Sequence, residues 1–182
     1  PDLGARAFAA ARDEFDLGSV GAGTGALTGN LKGGLGSASL VLESGATVGA
    51  LVAVNPIGSV TTPGGRHFWA APFELNGEFG GLGPDPSHGL GYAITAKKPG
   101  AMSALGNTTI AIVATDASLD KAAAKRLAVA AHDGIGRATL PAHMPMDGDL
   151  VFAAATAQRK AAVDAREMAF LCHAGAMCLS CL

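Results

Sequence analysis

The chain has 182 residues, 49% hydrophobic but only 5% aromatic, with 26 glycines, which fits one domain, or part of a larger one, whose core is built from Ala, Val, Leu and Ile. Thirteen Lys+Arg against fifteen Asp+Glu leave a formal charge of -2, so no basic surplus exists to neutralise a phosphate backbone and nucleic acid is not an expected partner. A charged fraction of 15% and a mean hydropathy of +0.32 argue against disorder, and no unbroken apolar run reaches the roughly 18 residues of a membrane span.

In chain order, residues 1–15 read as a helix, because Leu3, Ala7, Phe8 and Ala11 recur at helical spacing. Residues 17–36 are glycine-rich, which predicts irregular backbone able to approach another surface closely. Residues 37–42 and 47–54 read as two strands joined at Glu43, Ser44 and Gly45. The hairpin is apolar on both faces and is therefore expected to be covered by another layer. Residues 58–106 carry Pro and Gly at short intervals, and a loop this long in a compact domain is usually functional or mobile. A strand follows over 109–114. A helix is then expected over 119–134, with Ser118 as N-cap and with Leu127 and Ala131 on its buried side. Residues 141–148 form a turn-rich connection, 150–155 a strand and 161–179 a last helix. This order of elements predicts an α/β layered sandwich in a single domain.

Several motifs fail for want of context. Gly21, Gly23 and Ala26 approximate a dinucleotide fingerprint, but no strand precedes them and no helix follows. Cys172, Cys178 and Cys181 are an odd number crowded at one end, which points to a reducing compartment, hence the cytoplasm, rather than to a secreted disulfide framework. The chain starts at Pro1, so a missing leader carries no information. Cys178 and Cys181 with His173 look like half a zinc site without a second ligand pair, so buried helix cysteines are the simpler reading and no metal is expected. His67, His88, His132 and His143 are scattered, with no HExxH pattern. His132 reads as lying near a helix end, where a capping or dipole role suffices, and His143 as a loop-borne candidate.

Two short segments are more interesting. Asn107, Thr108 and Thr109 stand where the long loop enters a strand; a turn followed by a β-favouring Thr pair explains them equally well. Asp147 and Asp149 flank Gly148. In an extended segment they project to the same side, where paired carboxylates shift each other's pKa or jointly orient a cation or hydroxyl. A solvated acidic turn is the plain alternative.

Together the segments resemble a known family. Lys32-Gly-Gly-Leu-Gly-Ser-Ala-Ser39, Val52-Ala-Val-Asn55, Gly106-Asn-Thr-Thr-Ile110, Val113-Ala-Thr-Asp116, Arg126-Leu-Ala, Ala131-His-Asp-Gly134 and Met146-Asp-Gly-Asp149 occur in this order. In that arrangement they are similar to the self-cleaving L-aminopeptidase/D-esterase (DmpA-type) peptidases, which include the 6-aminohexanoate (nylon) oligomer hydrolases. The likeness covers nearly the whole chain, and its specificity lies in the ordered set rather than in any one piece. It implies a layered αββα-type sandwich of the N-terminal-nucleophile hydrolase-like kind, incomplete at the N-terminus. Family members carry a long portion ahead of the first helix here, so the chain is expected to be the C-terminal part of a longer one. Residues 1–107 would end an α-subunit portion, and 108–182 would form the β-subunit portion after self-cleavage.

The resemblance also implies a chemistry. Cleavage is expected between Asn107 and Thr108, and the 58–106 loop would be released or displaced by it. A Thr hydroxyl is a weak nucleophile until a base stands beside it. The freed α-amine of Thr108, titrating near ~7.7–8 when unperturbed, supplies that base. The β-methyl restricts the rotamers of the hydroxyl. Lys32 matches the family's active-site lysine, and its charge would lower the pKa of the amine. Its neighbouring glycines would admit substrate closely. Asn55 would donate to a developing oxyanion. Asp147 and Asp149 would accept hydrogen bonds from the Thr108 hydroxyl and hold Lys32. No cofactor is needed for this chemistry. The substrate would be a small peptide, an amino-acid amide or ester, or an ω-amino-acid oligomer, with the Thr nucleophile leaning towards a nylon-oligomer-hydrolase-like member. A homo-oligomer is expected. Two rival readings are a Thr-nucleophile acyltransferase of the ornithine acetyltransferase type and a non-catalytic interaction module.

Overall fold

A computed structural model describes residues 2–87 and 106–181. The elements are α1 (Asp2–Ala9), β1 (Gly34–Val41), β2 (Thr47–Val54), β3 (Ile110–Thr115), α2 (Lys121–Ala138), β4 (Leu150–Ala155) and α3 (Ala165–Ser180). The four strands form one sheet in the order β1-β2-β3-β4. β1 and β2 are the antiparallel hairpin, β2 and β3 are antiparallel, and β3 and β4 are parallel with α2 as their crossover.

Alternation along the strands decides the layers. Val48, Ala50, Val52, Ala111, Val113 and Val151 point to one face and are buried there against Leu127 and Ala131 of α2 and Leu171, Ala174 and Cys178 of α3. Leu127 and Leu171 are wholly buried, and each such side chain stabilises the fold by roughly 1.5–3 kcal/mol. Ile110, Ile112, Leu150 and Phe152 occupy the other face and are exposed. The helix-on-sheet half of the expected sandwich is therefore present. Among the described residues there is one sheet with α2 and α3 on one side, and the covering expected on the second face of the hairpin is not among them.

Several boundaries differ from the sequence reading. The first helix stops at Ala9 and buries none of its residues, because its apolar positions meet no partner surface among the described residues. Asp120, not Ser118, caps α2, accepting from the Ala123 N–H at 2.8 Å. Asp164 likewise caps α3, accepting from the Glu167 N–H at 2.7 Å, so that helix begins at Ala165 rather than 161. The glycine-rich stretch is not wholly irregular: a short 3-10 turn spans Gly21–Gly23, and β1 already begins at Gly34. The loop after β2 is partly ordered by a 3-10 turn at Ala71–Phe73 and by bridges from Ser59 to Leu140 and Thr61 to Phe68. Its portion over 88–105, which includes His88, lies outside the described residues. No helix among the described residues is long and apolar enough to cross a membrane.

Candidate active site

Topology alone gathers the site. β1 runs antiparallel to β2, β2 antiparallel to β3, and β3 parallel to β4. The start of β1, the end of β2 and the starts of β3 and β4 therefore lie at one end of the sheet. Lys32 stands just before β1, Asn55 just after β2, Asn107 and Thr108 just before β3, and Asp147 and Asp149 just before β4. Residues separated by more than a hundred positions are thus drawn to one edge by strand pairing.

The Asn107–Thr108 peptide bond is held from several sides. The Thr108 N–H donates to the Asn55 carbonyl at 3.0 Å, and the Gly148 N–H donates to the Asn107 carbonyl at 2.9 Å. The Thr108 hydroxyl donates to the same Asn107 carbonyl at 2.6 Å. Asn107 and Thr109 are buried, while Thr108 between them faces a cavity of about 580 Å3 that Asn55, Ile110, Ile112 and Phe152 also line. None of the described residues lining that cavity is charged. The Asn55 side chain bridges two segments: Nδ2 donates to the Gly106 carbonyl, and Oδ1 accepts from the Leu27 N–H, both at 3.0 Å.

The two aspartates act mainly on backbone. Asp147 Oδ1 accepts from the Ile57 N–H at 2.9 Å, just beyond Asn55, and Oδ2 accepts from the Met144 N–H at 3.4 Å. Asp149 Oδ1 accepts from the Thr109 N–H at 3.0 Å, one residue past the candidate nucleophile. Burial, helped by the neighbouring Asp149 charge, pushes the Asp147 carboxyl above the usual carboxylate range, against the Ile57 hydrogen bond.

Lys32 is placed differently from the reading above. It is exposed, it forms a bridge with Leu27, and among the described residues it makes no ion pair with either aspartate. The carboxylates meet N–H groups of the chain instead. Gly33 beside it packs its bare α-carbon against the Val54 carbonyl, so that glycine serves close contact between strands rather than substrate entry.

His143 takes the place at Asp149 that a lysine was expected to fill. Its Nδ1 lies 2.8 Å from Asp149 Oδ2, the one ion-pair geometry among the described residues, and Asp149 is almost fully enclosed with a side chain 3% exposed. The other ring nitrogen lies 3.4 Å from the His132 carbonyl, and the two imidazoles meet edge-on with centroids 5.1 Å apart. His143 adopts a φ of 55°, a conformation uncommon outside glycine but tolerated by His. His132 lies inside α2, not near its end, and burial, then His143, push its pKa down. Sequence reasoning gave His132 a capping or dipole role and kept His143 only as a loop-borne candidate, without pairing it with Asp149. The available signal was His143 standing in the same turn as the Asp pair.

The remaining motifs resolve simply. Cys178 is buried with its Sγ 3.7 Å from the Val48 carbonyl, and burial, with some help from Cys181, raises its pKa to about 11. Cys181 reaches the Phe73 carbonyl at 3.5 Å. Among the described residues no group of three or more His, Cys, Asp or Glu is placed to hold a metal ion.

Comparison with known proteins follows the same lines. Residues 2–180 match peptidase family S58, and the chain belongs to that family. It is 46% identical over 155 residues to an uncharacterized aminopeptidase of Mycobacterium tuberculosis, covering 85% of this chain and 44% of that protein. A similar aminopeptidase of Mycobacterium leprae is 51% identical over 140 residues, covering 77% of this chain and 37% of that one. Among solved structures, a Burkholderia sp. β-aminopeptidase matches at a TM-score of 0.61 and 29% identity, over 97% of this chain and 48% of the other. The L-aminopeptidase D-Ala-esterase/amidase of Ochrobactrum anthropi, described as a new variant of the Ntn hydrolase fold, matches at 0.60 and 27%, over 94% and 44%. The α/β fold is thus of the N-terminal-nucleophile hydrolase kind. The chain spans less than half the length of the curated relatives it matches.

Proposed function

We propose that the protein is an amide or peptide hydrolase that uses Thr108 as an N-terminal nucleophile after cutting itself between Asn107 and Thr108. The observation that carries this reading is the convergence on one peptide bond: the Thr108 hydroxyl lies 2.6 Å from the Asn107 carbonyl oxygen, beside Asn55 and the Asp147–Asp149 turn. The aminopeptidase names of its relatives support the coarser half of the reading.

In turnover, the freed Thr108 amine takes the proton of its own hydroxyl as the oxygen attacks the substrate carbonyl. The proton passes to the leaving amine, an ester of the acyl group on Thr108 Oγ1 remains, and water resolves it. In the uncut chain Asn55 Nδ2 is engaged with the Gly106 carbonyl. After the cut, the Asn55 amide beside Thr108 is the side chain suited to donate to the oxyanion of the acyl transfer step. The apolar wall that the described residues give the cavity beside Thr108 suits an aliphatic side chain or methylene run, as in an aliphatic aminoacyl or ω-aminoacyl amide. The partner is then a small amide or peptide, and a homo-oligomer is the assembly that goes with the family.

The test is turnover of a series of aminoacyl and ω-aminoacyl amides, with and without an added amine acceptor, beside Thr108→Ala. Hydrolysis of aliphatic members in preference to charged ones, abolished by the substitution, is expected. Acyl groups passing mainly to the added amine would favour an acyltransferase. A processed protein inert towards every amide would contradict a hydrolase.

A further inference from the structure

We propose that Gly148, between the two aspartates, is a catalytic residue of the self-cleavage step: its N–H steadies the oxyanion formed at Asn107, and its missing side chain is the space the Thr108 hydroxyl occupies. The inference rests on the self-cleavage reading above.

Two independent features of this residue point to the same atoms. The first is its N–H, which donates to the Asn107 carbonyl oxygen at 2.9 Å. That oxygen belongs to the bond to be cut, and it also accepts the Thr108 hydroxyl at 2.6 Å. When Thr108 Oγ1 attacks the Asn107 carbonyl carbon, the C–O double bond opens and negative charge builds on this oxygen. The hydroxyl can no longer serve as its donor, because it is the attacking group and is losing its proton. The Gly148 N–H is already aligned and remains. The intermediate then collapses with loss of the C–N bond. The hydroxyl proton ends on the departing Thr108 nitrogen, and an Asn107 ester on Thr108 Oγ1 is left for water to hydrolyse. A fixed backbone donor aimed at developing charge needs no reorganisation at that moment.

The second feature is steric. A Cβ built on Gly148 would stand 2.6 Å from Thr108 Oγ1, 3.5 Å from its Cγ2 and 3.6 Å from its Cβ. The backbone of Gly148 lies outside the left-handed region that calls for glycine, so conformation does not account for the residue. The hydroxyl of the nucleophile does. Any larger residue would displace Oγ1, and the β-branched Thr has few other rotamers to adopt.

A purely structural reading exists, since the Gly148–Asn107 bond continues the β3–β4 ladder, in which the Leu150 N–H donates to the Thr109 carbonyl at 2.9 Å. That neighbouring bond is the control. In cell-free translation of the full-length gene product, a backbone ester is installed at position 148, with glycolic acid replacing glycine. A second protein carries the equivalent ester at position 150, and a third carries Gly148→Ala. Appearance of the Thr108 terminus is followed by intact mass, at a temperature below the melting transition of every variant. Each ester deletes one ladder N–H, but only the first removes a donor from the scissile carbonyl.

The expected result is cleavage slowed about 100- to 1000-fold by the ester at 148, near-unmodified cleavage with the ester at 150, and loss of cleavage in Gly148→Ala. Equal slowing by both esters, or an ester at 148 that cleaves within twofold of the unmodified protein, would overturn the oxyanion role. Gly148→Ala cleaving at the unmodified rate would overturn the steric one. If the unmodified protein stays uncut, the self-cleavage reading itself fails, an outcome distinct from the others.

Discussion

At the scale of single residues, the site depends on which carboxylate contacts which neighbour. Burial raises the Asp147 pKa, so the folded state holds this proton more tightly than the unfolded chain does. The group therefore favours folding in acid and disfavours it as pH rises through the raised pKa. Asp147→Asn removes that penalty while keeping an acceptor for the Ile57 N–H. Its melting temperature should exceed that of the unmodified protein near neutral pH, with the difference vanishing below the carboxylate range. A constant difference at all pH values would contradict the assignment. His143 offers a second residue-scale prediction. Its ring holds the enclosed Asp149 carboxylate, which in turn holds the Thr109 N–H. His143→Gly keeps the positive φ without the ring, and His143→Asn keeps both the φ preference and a donor. Self-cleavage should fall at least tenfold in the first and recover in part in the second. Equal rates in the two variants would show that the ring does not position Asp149.

These residues also show what a sequence can carry. The gathering of Thr108, Asn55 and the Asp pair at one sheet edge was legible because their order matches a family. The part played by Gly148 was not, because a backbone N–H is the same at every residue and only the fold says where it points. The His143–Asp149 pair depends on a turn with a left-handed residue, which no periodicity encodes. Lys32 had the right residue type in the right order, but whether it pairs with a carboxylate depends on the path of the loop, and among the described residues it makes no ion pair.

At the scale of elements, strands were read well where an apolar run is bounded by turn residues. β2 and β4 follow their expected limits and β3 follows its own within a residue, because short apolar runs bounded by turn residues mark strands even where both faces are apolar. Boundaries failed at caps, where Ser118 and Asp120 compete and the hydrogen bond to Ala123 decides for Asp120. Packing of α2 on α3 hinges on Gly134, where an added Cβ would meet the Ala176 carbonyl at 2.3 Å. Gly134→Ala should therefore destabilise the protein by roughly 1–3 kcal/mol despite its better helix propensity, measured by denaturant unfolding. A stabilised variant would show that the two helices separate freely.

At the scale of the whole molecule, one sheet face is sealed by α2 and α3, while the other presents Ile110, Ile112, Leu150 and Phe152. A chain of residues 1–182 alone should bind an apolar fluorescent dye in its native state, and Ile112→Thr with Phe152→Thr should weaken that binding. Unchanged fluorescence in the double variant would place the dye elsewhere. The central claim concerns one bond at the edge of this sheet. The most direct measurement is intact mass with N-terminal sequencing of the expressed full-length gene product beside its Thr108→Ala variant. A break between Asn107 and Thr108, with a new Thr-Thr-Ile terminus only in the unmodified protein, is the predicted result. An unmodified protein that stays whole, or a variant that is cut at the same bond, would contradict it.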